Sequence, residues 1–437
     1  MFLRLLGKIK YLWPFLLIIS INLVYLYYLL TDSRYFFYDD FTGLTFSVPR
    51  SYTQIISDSL ASRDIDRHKI LGYMATKWLY SNFGTNVDAY FTFNFLIHTS
   101  NSLLLFLLLK RITNNVKLSV ILASVFAYRF YLWWFSNIHT LMAAGFSFTT
   151  IHLWLNYIKS GKKINYLWMW LILPLLVYSY GPGFFVYPAL LPFTIFFNKN
   201  LVLKKLLLLA PFIILLGIYF VFYTRVGDSQ LRFADPQGNY YRPINLSTFM
   251  NVQSQYITAI NSVIPFSNFA LILITSILLF LSYIFPLSIT FLISYFFAIA
   301  PNSFFPNHTM FYYLYFPITF ILLFFAELLQ RRRWLWALVI FLILFNPVQG
   351  IYKILFRIKH PSVHFEKQAM AKIVRAAESA INNQVNQVRL SNWDVTPNLN
   401  HAMDYQALPY FLSSSKKFDY HYSYSRDTQI LTLTPIR

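Results

Sequence analysis

Long apolar runs recur along the chain, and the charged residues fall almost entirely between them. A membrane-crossing helix needs about 20 mainly apolar residues. Eleven runs approach that length, near 11–30, 89–109, 117–136, 139–158, 165–181, 183–198, 206–224, 267–283, 285–301, 310–329 and 334–352. Breaks at Gly181-Pro182-Gly183 and Pro286 separate runs that would otherwise merge. With 57% of 437 residues hydrophobic and 12% charged, the composition lies far from that of a soluble globular chain. The expected fold class is an all-α polytopic membrane protein with about eleven transmembrane helices.

The basic residues set the orientation. With the N-terminus inside, the inner segments collect Arg4, Lys8 and Lys10; Lys110, Arg111 and Lys117; Lys159, Lys162 and Lys163; Lys199, Lys204 and Lys205; and Arg331, Arg332 and Arg333. The short loops on the opposite side carry no Lys or Arg, which is the positive-inside pattern. Of the 16 acidic residues, only Glu327 lies outside three long segments that this topology exports: 31–88, 225–266 and 353–437. The net charge of +20 is therefore a topology signal, and no nucleic-acid partner is expected. The first run follows Lys8 and Lys10 without a small-residue cleavage site and reads as a retained signal anchor. There are no cysteines, so disulfides and thiolate metal sites are excluded. That and the small tail favour a prokaryotic cytoplasmic membrane, with the C-terminus outside.

Two units follow: a transmembrane domain over 1–352, including exported loops 31–88 and 225–266, and a small extracytoplasmic α/β tail over 353–437. In the first loop, Ile70, Tyr73, Met74, Lys77 and Trp78 have the spacing of a helix lying in the interface. The second loop runs into a helix near 247–260. In the tail, Phe365, Met370, Ile373, Ala377 and Ile381 keep helical spacing. Strands are predicted over 387–393 and 429–434, and a second helix over 397–412.

Six groups of residues carry candidate chemistry. Asp39 and Asp40 sit among aromatics beside the membrane surface, where burial raises a carboxylate's pKa into the range of a general base. Alternatively Asp39 caps a helix that begins near Phe41, with Asp40 in its first turn. Asp64 and Asp66, in Arg63-Asp-Ile-Asp-Arg-His-Lys69, have a spacing that suits a divalent cation such as Mg or Mn, or else form a solvated ion-pair cluster with Arg67 and its neighbours. Asn94, His98 and Asn101 share one helix face, which serves either substrate or interhelical hydrogen bonds. Arg129 is an intramembrane guanidinium shaped for phosphate, or one that snorkels to headgroups. Lys353, Arg357, Lys359 and His360 lie outside the last run and suit an anionic ligand or lipid headgroups. His139 and His308 lie near outer helix ends, without a zinc motif around them; no P-loop or nucleotide fingerprint is present.

The order of these features carries a resemblance. A first span ending in Asp39-Asp40 is followed by a long interfacial loop, then Phe83-Gly84-Thr85-Asn86, Tyr90 and Asn94-Phe-Leu-Ile-His98-Thr-Ser-Asn101. This resembles the GT-C superfamily of membrane glycosyltransferases, in the branch related to protein O-mannosyltransferases, over residues 30–160. The resemblance implies inverting transfer of a sugar from a polyprenyl-phosphate donor to a lipid, glycan or protein acceptor outside the membrane, with Asp39 as the base and Asp40 as its partner. Arg67, Arg129 and the basic residues around Arg357 would face the leaving phosphate, and His98, His139 and His308 are further binding candidates. The chain departs from the family pattern twice. Many relatives have an arginine before a tyrosine where this chain reads Met310-Phe311-Tyr312-Tyr313, and some have an acid at Tyr180-Gly181.

The main alternative from another class is a transporter or flippase of lipid-linked sugar. Transporters commonly show repeated halves and midplane polar groups. Here no halves repeat, and nearly all acids lie on one side.

Overall fold

The computed structural model describes residues 12–24, 26, 36, 39–62, 68–129, 137–180, 185–197, 202–225, 236–237, 241–261, 286–307, 311–331, 361–390, 406–413, 417–425, 428 and 430–436. Most of them are helical, and one small sheet lies near the C-terminus. The helices are α1 (Leu12–Val24), α2 (Asp39–Ser47), α3 (Tyr52–Ala61), α4 (Ile70–Phe83), α5 (Val87–Thr113), α6 (Val116–Arg129), α7 (Ile138–Ser160), α8 (Lys163–Val177), α9 (Val186–Phe197), α10 (Val202–Arg225), α11 (Leu246–Asn261), α12 (Pro286–Ile299), α13 (Ile318–Arg331) and α14 (Pro361–Asn382).

Local chemistry sets their ends. The Asn86 side chain accepts the Asp88 N–H at 3.2 Å to open α5, and Lys110 and Arg111 stand in its last turn, where cations offset the helix dipole. Asn114, with φ of 52°, then closes it in the left-handed conformation. Ser51 and Gln54 form a reciprocal capping box at α3. Pro286 occupies the first position of α12, where its missing N–H costs nothing.

Among the described residues, α5 is the one helix long and apolar enough to cross a membrane. At about 1.5 Å per residue, the 15 residues of α8 reach about 22 Å, short of a hydrocarbon core of about 30 Å. The runs near 267–283 and 334–352 lie outside the described residues. The run near 310–329 is not one helix. A 3-10 turn over Phe311–Leu314 is followed by a bend through Pro317, and α13 starts at Ile318. Pro317 disfavours a helical backbone at Phe316 and lacks the N–H that would join the two pieces.

Packing closes α5, α7, α9, α12 and α13 into a ring, with α6, α8 and α10 against its outside. One apolar cluster runs through the ring, and buried polar contacts tie its helices together. Trp154 Nε1 donates to Thr194 Oγ1 at 2.9 Å, and Ser294 Oγ donates to the Ala189 carbonyl at 2.9 Å. Where lipid surrounds a bundle, such bonds and close packing hold helices together in place of the hydrophobic effect.

The two ends of the ring differ in charge. At one end Arg111 Nη1 donates to Asn156 Oδ1 at 2.7 Å, and Lys205 Nζ donates to the Ile158 carbonyl at 3.2 Å. These cations gather at the C-termini of α5 and α7, where the dipoles favour them. At the other end stand α2, α3 and α4, where Asp39, Asp40 and Asp58 occur together with Arg50, Lys69 and Lys77.

The C-terminal unit packs at this acid-bearing end. Its sheet, with strands β1 (Gln387–Arg389), β2 (Tyr420–Ser425) and β3 (Ile430–Pro435), is antiparallel in the order β1-β3-β2. Helix α14, the edge strand β1 and the central strand β3 agree with the sequence pattern, but β2 was not expected from it. Tyr420, Tyr422 and Tyr424 alternate with His421, Ser423 and Ser425, a weakly apolar pattern that gains its stability from pairing with β3. The described part of the expected 397–412 helix is a turn followed by a 3-10 segment over Leu408–Phe411, with Pro409 near its start.

Candidate functional site

The sequence candidates among the described residues fall into four places. Asp39 opens α2, and Asp40 follows with 1% of its surface exposed. The helix thus begins two residues before Phe41, which puts both acids in its first turn. Arg50 closes the other end of α2 by donating to the Phe46 carbonyl at 2.8 Å and pairs with Asp58 at 2.8 Å. Lys77 Nζ donates to the Val48 carbonyl at 3.1 Å and so ties α2 to α4.

His98, on α5, is fully buried where α5 meets α6 and the segment before α13. Its Nε2 bonds the Ala127 carbonyl at 2.7 Å, so that nitrogen carries the proton. Nδ1 then accepts from the Tyr315 hydroxyl at 2.6 Å, and Asn101 Nδ2 donates to the Tyr315 oxygen at 3.2 Å and to the Leu141 carbonyl at 2.9 Å. Both ring nitrogens are taken, which is the arrangement of an interhelical lock between α5, α6, α7 and the bend before α13. A β-carbon on Gly145 would come within 2.8 Å of Asn101 Oδ1, so a glycine there lets the amide approach.

His139, in the first turn of α7, is 7% exposed, and its Nδ1 has no hydrogen-bond partner among the described residues. It packs edge-on to Tyr73 at 5.5 Å and against Gly72 of α4. Beside it opens a narrow cleft at the acid-bearing end of the ring, whose polar lining is Thr140, Tyr180, Asn302, Tyr312 and Tyr313. Tyr180 and Tyr313 stack with centroids 6.4 Å apart and planes 11° from parallel. Lys69 Nζ lies 5.7 Å from the Tyr180 ring centroid, within cation–π range. The Leu71 N–H donates to the Tyr178 carbonyl at 3.1 Å and seats α4 across this region.

The lining is fixed from behind. Tyr295 OH donates to Gln253 Oε1 at 3.2 Å, Gln253 Nε2 donates to Ser303 Oγ at 2.9 Å, and Tyr256 OH donates to the Asn302 carbonyl at 3.3 Å. Helix α11 thereby holds the segment that carries Asn302.

Arg129 is the last residue of α6. Asp64, Asp66, Arg67, His308 and Arg357 lie outside the described residues. Among the described residues, no three His, Asp or Glu side chains gather closely enough to hold a metal ion. Sequence reasoning missed Thr140 and Asn302 as a pair, because nothing in a single chain places residues 162 apart on one wall. It named Tyr180 and Tyr312 only as departures from a family pattern.

The arrangement offers aromatic faces, an amide and hydroxyls for a polyol, with a cation at the rim for an anion. No family model matches the chain, and no curated protein or solved structure matches it either.

Proposed function

We propose that this chain is a membrane-embedded glycosyltransferase of the GT-C kind. It transfers a sugar from a polyprenyl-phosphate donor to an acceptor hydroxyl, working as an eleven-span protein with its N-terminus inside and its C-terminal unit outside a prokaryotic cytoplasmic membrane. One observation carries the reading. The aromatic, amide-lined cleft and the acid-bearing helix α2 occupy the same end of the ring, opposite the cationic end. Chemistry on a lipid-linked sugar needs a polar site and a base on the same side of the membrane, just above the hydrocarbon.

In the proposed reaction, Asp39 takes the proton of the acceptor hydroxyl while the acceptor oxygen bonds to the anomeric carbon. The bond from that carbon to the phosphate oxygen breaks, and the phosphate leaves with the electron pair and its prenyl chain. Asp40 supports the base. Cations lower the barrier as charge grows on the phosphate. Lys69, beside the Tyr180 ring, is one candidate for this, and Arg67, Arg129 and Arg357 are further ones. Tyr180 stands at one departure from the family pattern and Tyr313 directly follows Tyr312 at the other, so in this reading the sugar meets the stacked rings of Tyr180 and Tyr313.

The test uses the purified protein in liposomes with radiolabelled polyprenyl-phosphate monosaccharides and a membrane extract as acceptor source. Label should leave the carrier with wild type and stay on it with Asp39→Asn. Label that crosses the bilayer still on its carrier would establish a flippase instead. Label that neither transfers nor crosses would defeat the reading.

A further inference from the structure

The 3-10 turn Leu408–Phe411 of the C-terminal unit is seated on the aromatic support of α2. Phe411 stands edge-on to Phe36 and Phe41 at centroid distances of 5.7 and 6.1 Å, and Phe36 stands edge-on to Tyr90 at 5.0 Å. The Tyr80 hydroxyl donates to the Tyr410 carbonyl at 3.1 Å, which joins α4 to the same turn. Phe41, fully buried, directly follows Asp40.

The turn is built to present these groups. Gln406, just before it, has a φ of 53°, a left-handed conformation that costs a non-glycine residue about 1 kcal/mol or more. Its side chain holds both backbone groups of Tyr422 in β2: Oε1 accepts the Tyr422 N–H at 3.0 Å, and Nε2 donates to the Tyr422 carbonyl. On the far side, Glu378 of α14 accepts from the Ser413 N–H at 2.7 Å and from its hydroxyl at 2.5 Å. A nine-residue helix such as α2 is too short to hold its place alone.

We propose that the C-terminal unit is a clamp on the acid-bearing helix, and that Phe411 is a positioning residue for the Asp39–Asp40 turn. The reaction it serves rests on the glycosyltransferase reading; the clamp itself rests on the contacts.

Because the chain has no cysteine, Asp40→Cys gives a single thiol at a buried position. In full-length protein in nanodiscs, a water-soluble maleimide should label it slowly. Adding Phe411→Ala should speed labelling about tenfold, as local opening becomes easier, and Phe411→Leu should restore most of the protection. Ser413→Ala, which loosens the turn without touching α2, should give a smaller increase. With Asp40 intact, Phe411→Ala should lower kcat about 100-fold, the effect of misplacing a reacting group by about 1 Å, with donor KM changed less than about twofold.

Unchanged labelling in folded Phe411→Ala protein, with wild type active, would overturn the clamp alone. Equal loss through KM and kcat would overturn the positioning role. Faster labelling in a protein whose wild type transfers no sugar would keep the clamp and overturn the glycosyltransferase reading.

Discussion

Gly72 and His139 interlock: a β-carbon on Gly72 would lie 1.9 Å from His139 Nδ1 and 2.1 Å from Cε1. The missing side chain on α4 is what admits the imidazole of α7. Gly72→Ala should therefore displace the ring and destabilise the protein by about 1–3 kcal/mol, the usual cost of overpacking. Thermal unfolding of detergent-solubilised protein measures it. The double variant Gly72→Ala/His139→Ala should recover most of the loss, and equal melting of Gly72→Ala and wild type would refute the interlock.

Tyr315 is the centre of the buried lock. Tyr315→Phe keeps the ring but leaves His98 Nδ1 without its donor, while Asn101 retains the Leu141 carbonyl. The expected cost is about 1–3 kcal/mol, that of leaving one buried polar group unsatisfied. Since the side chains of His98, Asn101 and Tyr315 are not among the residues that line the cleft, residual transfer per folded molecule should stay close to wild type. A large fall in kcat at unchanged stability would move His98 and Tyr315 into the reaction.

At the cleft rim, Lys69→Ala should raise the donor KM about tenfold, as expected for loss of a charge-assisted contact to phosphate. Tyr180→Ala should weaken donor binding as well, because it removes one face of the Tyr180–Tyr313 stack. A titration with a polyprenyl-phosphate sugar distinguishes these from effects on the acceptor. Unchanged donor affinity in both variants would remove the cleft from the donor site.

The clamp carries a pH dependence. Two hydrogen bonds from Ser413 hold Glu378 below the usual carboxylate range, against a weaker opposing effect of desolvation. A depressed folded-state pKa means that the contact's stability is present above the unfolded value of about 4.3 and disappears as pH falls through the lower folded value. Maleimide labelling of Asp40→Cys relative to a free thiol should rise at that acidic step. Glu378→Gln should flatten it; a persistent step would assign it to another group.

Much of the organisation can be read from residues in order. The Asn94-His98-Asn101 stripe places three polar groups on one face of α5, and the basic clusters after α5 and α7 anticipate the cationic end of the ring. The helix of the tail follows from Met370, Ile373, Ala377 and Ile381, all buried in the structure. Other features were not legible. The run near 310–329 reads as continuous because hydropathy is blind to the break at Pro317. Strand β2 is concealed because its tyrosines and serines acquire strand character only against β3.

The sequence alone determined that most of the chain is helical and where the basic clusters fall between the apolar runs, because both follow from local periodicity and from the cost of placing charge in an apolar medium. Tertiary structure alone decided which residues meet: Tyr315 reaches His98, Gly72 opens space for His139, Tyr180 stacks on Tyr313, and Phe411 closes on Phe36 and Phe41. Each of these contacts joins separate elements, so its geometry depends on how the helices pack and on no pattern within one of them.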